Sequence, residues 1–269
     1  MAMADKLTLE RVAKTFDTDG HRLPVLLPVD LRVPEGEFLT IVGPSGCGKS
    51  TLFNVITGLL PPDPGGSVAI DGKVTASTLG RIGYMPQRDL LLPWRSVVDN
   101  ATVGLEVQGV ARGEARRRAH AVLKQFGLAG FEDFYPFALS GGMKQRVALM
   151  RTFLFESDIM LLDEPFGALD ALTRSVLQEW LSNVCAKYRR TILFITHDVE
   201  EAIYLGDRVF VMTARPGRFK LEVKVALERP RSPAIVTTPE FVVLKRQILD
   251  TIREESLRSI AAEQPEERP

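Results

Sequence analysis

Glu37-Phe38-Leu39-Thr40-Ile41-Val42, followed by Gly43-Pro44-Ser45-Gly46-Cys47-Gly48-Lys49-Ser50, decides the architecture of this chain. A short apolar run that ends in a glycine-rich turn reads as a buried strand. Ser50 to Leu60 then reads as a helix, closed by Gly58 and Pro61-Pro62. A strand that passes through glycines into a helix is suited to holding an anion. The glycines let successive backbone N–H groups point inward, and the helix start adds its positive end. The eight residues from Gly43 fit G-x-x-x-x-G-K-[ST], in the strand-to-helix context that a phosphate loop requires. In that loop Lys49 reaches the β- and γ-phosphates and Ser50 ligates Mg²⁺.

A phosphate loop needs an acidic partner for the metal. Asp158-Ile159-Met160-Leu161-Leu162-Asp163 reads as a second buried strand whose last residue is that acid. Asp163 is a Mg²⁺ ligand through water. Glu164, directly after it, is the group to position or deprotonate an attacking water. A helix opens at Ser140, another runs through Trp180, and Thr191-Ile192-Leu193-Phe194-Ile195-Thr196 is a third strand. Helix, strand, helix, strand in this order predicts an α/β fold with a mostly parallel sheet covered by helices.

The remaining segments differ in character. Lys6 to Arg32 alternates weakly around Gly20, Pro24 and Pro28 and reads as β-rich with turns. From Leu90 to about Phe137 the chain turns helical, and the arginine-rich run Ala111 to Leu123 presents a basic, solvated helix face. Phe241 to Ile260 spaces Leu244, Ile248, Leu249 and Ile252 for a helix packed on the main body, and Glu263 to Pro269 read as disordered.

Composition narrows the class. The 269 residues suit one domain, with room for a small insertion and a tail. Lys plus Arg and Asp plus Glu are both 34, and this balance argues against a protein built to grip nucleic acid. Two cysteines, Cys47 and Cys185, make no disulfide framework. Met1-Ala2-Met3-Ala4-Asp5 carries no signal-peptide pattern, and no uncharged apolar run reaches the roughly 18 residues that cross a bilayer. A membrane role therefore requires a partner.

Leu139-Ser140-Gly141-Gly142-Met143-Lys144-Gln145-Arg146 names the family. Ser140 and two glycines open a helix, a second anion-binding start. The run resembles the signature motif of ATP-binding cassette (ABC) ATPases, with Met143 where many members carry Gln. Gln87 in Tyr84-Met85-Pro86-Gln87 resembles the Q-loop glutamine, Asp170 the D-loop aspartate, and His197 the switch histidine. Phe16 stands where the family places an aromatic on adenine, and it also reads as a core phenylalanine. The resemblance covers roughly residues 7 to 230. Leu92-Pro93-Trp94, Asp163 to Arg174, His197 to Ala202 and Ala214-Arg215-Pro216-Gly217-Arg218 are similar to the nitrate, sulfonate and taurine importer group.

The resemblance implies a P-loop NTPase core, an N-terminal antiparallel β subdomain and a helical subdomain inserted at about 90–150. Together these form an ATPase domain over 1–230, followed by a tail at 231–269 with one amphipathic helix. It implies ATP and Mg²⁺ as cofactors. Gly43, Pro44, Ser45, Gly46, Cys47, Gly48, Lys49, Ser50 and Thr51 bind the nucleotide with Phe16, Gln87, Ser140, Gly141, Gly142 and Asp170. Ser50, Gln87 and Asp163 hold the metal, and Glu164, His197 and Lys49 are catalytic. Two copies pair head to tail, with Ser140 and Gly142 of one facing the phosphate held by Lys49 of the other. Membrane permease subunits dock near Gln87 and Trp94, a solute-binding protein acts through them, and the chain lies on the cytoplasmic face of the membrane. The implied cargo is a small anion such as nitrate, sulfonate or taurine. An exporter ATPase and a soluble, non-transport ABC ATPase are the alternatives. At the helix start Cys47 is expected to have a lowered pKa and to react with alkylating reagents unless ATP protects it.

Overall fold

The structure, a computed structural model, describes residues 5–18, 20–75 and 77–263. The signal-peptide reading at residues 1–4 lies outside the described residues, as does the expected disordered end at 264–269, while Glu263 closes a helix. Strands β1 (Asp5–Thr18) and β2 (His21–Pro34) lead into β3 (Phe38–Val42) and helix α1 (Lys49–Ile56). Next come β4 (Ser67–Ile70), β5 (Lys73–Val74), β6 (Gly83–Met85), α2 (Val97–Ala101), α3 (Val103–Val107) and α4 (Arg112–Val122). The chain then runs through α5 (Gly141–Leu154), β7 (Ile159–Asp163), α6 (Ala171–Tyr188), β8 (Thr191–Ile195) and α7 (Val199–Leu205). It ends with β9 (Arg208–Met212), β10 (Phe219–Lys224) and α8 (Pro239–Glu263). Two compact units divide it, Met1–Leu79 with Thr191–Pro269, and Gly80–Arg190.

In the first unit β3 lies parallel to both β8 and β9, with Phe38 opposite Ile192 and Thr40 opposite Val209. All five residues of β3 and of β8 are buried. That is why both read as unbroken apolar runs, the pattern of parallel strands covered on two faces. β10 closes this group antiparallel to β9. A separate antiparallel sheet has the order β2-β1-β4-β5. Helix α1 stops at Ile56, before the expected Leu60. Gly58 there takes a left-handed φ of 78°, and Thr78 Oγ1 stands where a side chain would project.

Glu37, just before β3, pairs with Arg208 at 3.1 Å. Its side chain is only 10% exposed. Burial pushes the carboxyl up to about 7, against the pull of Arg208. The folded chain therefore holds a proton that the unfolded chain releases near pH 4.5. Stability from this group is present at acidic pH and is lost as pH rises through about 7. Denaturant titrations at pH 5.5 and 8 should show wild type losing up to about 2 kcal/mol more than a Glu37→Gln variant over that interval, solvent screening lowering the figure. Equal losses would show that Arg208 keeps Glu37 ionised throughout.

The C-terminal helix α8 packs on α7, β9 and β10. Phe241 and Ile248 are fully buried, but Leu249 is exposed, and the next buried position along that face is Glu255. Arg231, also buried, donates to the carbonyls of Ile203, Tyr204 and Gly206 at 2.7–3.0 Å. It thereby satisfies carbonyls at the C-terminal end of α7. Burial draws its pKa down to about 10.

In the second unit β6 and β7 pair in parallel, Gly83 opposite Met160. Ala115 and Ala119 of α4 are fully buried, small enough to let that helix sit close to α2 and α5. Its outer arginines are tied into ion pairs: Arg116 to Asp99, Arg117 to Glu114, and Arg118 to both Glu114 and Glu156. Phe126, Phe153 and Trp180 pack edge-on or tilted, with centroids 4.5–6.1 Å apart.

Candidate nucleotide site

In the first unit the chain leaves the C-terminal end of β3 and turns through Gly43 to Gly48 into α1. Gly48 has φ 108° and is buried. A Cβ on it would lie 2.8 Å from Leu26 Cδ2 and 3.1 Å from the Val25 carbonyl. No other residue fits both the φ and the space. Lys49 is 8% exposed, and its ammonium donates to the Gly43 and Pro44 carbonyls at 2.9 and 2.8 Å. Ser45, Gly46 and Ser50 are exposed, Gly43, Pro44 and Thr51 half-buried. Thr196 N–H donates to the Ile41 carbonyl, so His197 emerges, exposed, from the same strand end as the loop. Ligands of parallel sheets collect at that end. Phe16 lies on β1 opposite Leu23, half-buried, with Lys14 Nζ 5.7 Å from its ring centroid. It is not a core residue.

Cys47 lacks the reactivity expected of it at a helix start. Its side chain is 1% exposed and turns inward, its sulfur 3.3 Å from where a Cβ of Gly43 would lie. Burial pushes the thiol above its ordinary value; Lys49, 3.7 Å away, only partly opposes this. The helix start cannot activate a thiol that desolvation keeps protonated.

In the second unit Asp163 is 2% exposed at the C-terminal end of β7. Glu164 follows with φ 49°, a left-handed conformation that is uncommon for a residue with a side chain. Gln145 Nε2 donates to the Glu164 carbonyl at 3.0 Å, and Gln145 Oε1 accepts from Ala168 N–H at 2.9 Å. Gln87, exposed beyond β6, donates from Nε2 to Glu164 Oε2 at 3.3 Å. The unit thus brings Gln87 and Glu164 together. Burial, reinforced by the charge of Asp163, raises the phenol of Tyr84 above its usual range.

Ser140 caps α5, its Oγ accepting from Met143 N–H at 3.2 Å. The two glycines behind it differ. Gly141 faces open space, whereas a Cβ on Gly142 would meet the Ala168 carbonyl and Leu169 at 3.2 Å. Asp170 caps α6 by accepting from Thr173 N–H at 3.0 Å, and that bond holds its carboxyl below the usual range.

Sequence reasoning overlooked three residues. Gln145 lies on the buried face of α5, and its only signal was a polar residue there. Arg151 donates to the Asp89 and Leu90 carbonyls at 2.7 and 2.9 Å. Asn100 is 1% exposed and bonds Leu92, Arg95 and Ser96 backbone at 2.8–3.1 Å. Together the last two fix the segment that carries Trp94, itself 71% exposed.

A glycine-rich loop between a buried strand and a helix in one unit, and an Asp-Glu pair at the end of a parallel strand in the other, match the pattern expected of a P-loop ATPase. The family profile described as ABC transporter matches residues 26–167, and the chain belongs to that family. It is 42% identical over 248 residues to a taurine import ATP-binding protein of Rhizobium johnstonii, covering 90% of this chain and 94% of that one. It is 41% identical over 254 residues to a formylaminopyrimidine import ATP-binding protein of Halalkalibacterium halodurans, covering 94% and 98%. A solved dimeric ATP-binding cassette in a post-hydrolysis state with ADP and Pi superposes with TM-score 0.75 at 31% identity, over 82% of this chain and all of that one. The chain is accordingly an ATP-binding ATPase with the ABC fold.

Proposed function

We propose that the chain is the ATP-hydrolysing subunit of an importer, working as a homodimer beneath membrane permease subunits. The hydrogen bond from Gln87 to Glu164 carries this reading. Gln87 opens the segment that presents Trp94 and Leu90 to solvent on a backbone pinned by Arg151 and Asn100. A partner seated on those apolar side chains would move the glutamine that touches the candidate base. Two relatives named for import support the direction of transport.

The residue roles follow the motifs. Phe16 stacks on adenine, and Gly43 to Thr51 cradle the phosphates with Lys49. Ser50, Gln87 and Asp163 offer hard oxygen donors, the set that Mg²⁺ prefers. Glu164 takes the proton of the attacking water. His197 contacts the γ-phosphate, and Asp170 lies at the subunit boundary. Ser140, Gly141 and Gly142 serve the nucleotide of the opposite copy, a two-fold arrangement supported by the dimeric cassette. Among the described residues no helix is long and apolar enough to cross a membrane. In this reading the chain attaches to the cytoplasmic face through the permease, and a solute-binding protein acts on it indirectly. The cargo is a small anion such as nitrate, sulfonate or taurine.

A tagged Glu164→Gln chain, drawn from gently solubilised membranes with ATP, should recover a multi-span membrane protein. Recovery of ribosomal or DNA-bound proteins instead would leave the ATPase standing and overturn the importer.

A further inference from the structure

Glu255 is a buried carboxylate in a helix that the nucleotide chemistry does not use. It is 2% exposed, on the face of α8 that packs inward. Oε1 accepts from Lys220 at 2.6 Å and from Arg258 at 3.1 Å. Oε2 accepts from the backbone N–H of Ala214 at 3.0 Å. Ala214 belongs to the turn between β9 and β10, which is closed by Thr213: its N–H donates to the Arg218 carbonyl, and its Oγ1 accepts from Arg218 N–H at 3.1 Å.

That turn supports the phosphate loop. Gly217 N–H donates to the Val25 carbonyl at 2.8 Å, and the Gly217 carbonyl accepts from Leu27 N–H at 3.0 Å. The Gly217 backbone abuts the Cys47 carbonyl so closely that any Cβ there would collide with it. Met212 occupies the space beside Gly43, and Val25 with Leu26 occupy the space beside Gly48. The loop is thus wedged between the middle of β2 and the 213–218 turn, and Glu255 holds the far side of that turn. We propose that Glu255 is a positioning residue for the phosphate loop, acting through the 213–218 turn, and that α8 thereby sets nucleotide affinity. The consequence for affinity rests on the reading of 43–51 as the ATP cradle; the positioning itself does not.

If Glu255 is removed, the turn loses a charged acceptor and the loop spends less time in its binding conformation, so affinity falls in proportion. Two readouts on the full chain test this: binding of a fluorescent ATP analogue, and the rate at which a maleimide modifies Cys47, located by peptide mass spectrometry. Glu255→Ala should weaken binding and speed Cys47 modification by ~10-fold each, the loss of one charge-assisted hydrogen bond, with turnover of bound ATP within about twofold of wild type. Lys245→Ala is the control, because it removes the ion pair of α8 with Glu200 on α7, which does not involve the turn. It should leave both readouts at wild-type values.

Unchanged binding and unchanged Cys47 modification in Glu255→Ala overturn the proposal. Equal changes in Lys245→Ala also overturn it, since α8 would then act only as a brace. If Glu255→Ala does not fold, Glu255→Gln decides. It keeps an acceptor for Ala214 without the charge, so an intermediate effect supports the proposal and none overturns it. A wild-type chain that binds no ATP, with Cys47 still responding to Glu255→Ala, would sink the nucleotide reading and keep the positioning.

Discussion

Glu164→Gln is expected to lower ATP turnover by about 10²- to 10⁴-fold while ATP binding survives, the range that loss of a general base gives. The substitution suits the site because its geometry does not depend on the charge. The Glu164 backbone is held at φ 49° by Gln145 on its carbonyl, and the Gly167 N–H also donates to that carbonyl. The side chain keeps its volume and one acceptor for Gln87 Nε2. What disappears is the capacity to take a proton. Bound ATP would then persist, and the composite sites of the proposed homodimer should stay closed. Light scattering with ATP should give twice the monomer mass, and turnover under single-cycle conditions should be nearly absent. A monomer under those conditions would remove the paired arrangement, and near-normal turnover would remove Glu164 as the base.

Glu164 also shows where a sequence is readable. The strands, the position of the acid pair and the glycine-rich turn into α1 were legible because each depends on a local pattern. An apolar run buries on both faces, and glycines mark positive φ. Phe38 to Val42 and Ile159 to Leu162 are buried throughout, as apolar runs should be. Contacts between segments distant in sequence were not legible. Gln145 holding Glu164 and Ala168 spans some twenty residues, and nothing local marks it. Periodicity assigned Leu249 to the core of α8, yet Glu255 is the buried member, because Lys220 and the Ala214 amide supply the partners that make burial of a charge tolerable. Cys47 failed for a related reason. Its place at a helix start suggested activation, but its side chain turns inward, and only the fold shows that direction.

Lys49→Ala is expected to cut turnover by about 10²-fold or more, comparable to removing one preorganised donor from a developing charge. The ammonium already donates to the Gly43 and Pro44 carbonyls at 2.9 and 2.8 Å. These are neutral acceptors, and phosphate oxygens are stronger ones for a cation. The lysine is therefore held within its own loop by bonds that, in the proposed function, phosphate oxygens would replace. Removing it leaves two carbonyls short of a partner and the phosphates short of a positive charge. Lys49→Arg should not rescue. The site is nearly closed to solvent and contacts a single nitrogen, whereas guanidinium needs a planar opening. Turnover at saturating ATP separates the alternatives. Loss in both variants with unchanged thermal stability assigns the role to a point charge on the phosphates. Recovery with Arg would mean that positive charge alone suffices, and near-normal turnover with Ala would take Lys49 out of catalysis.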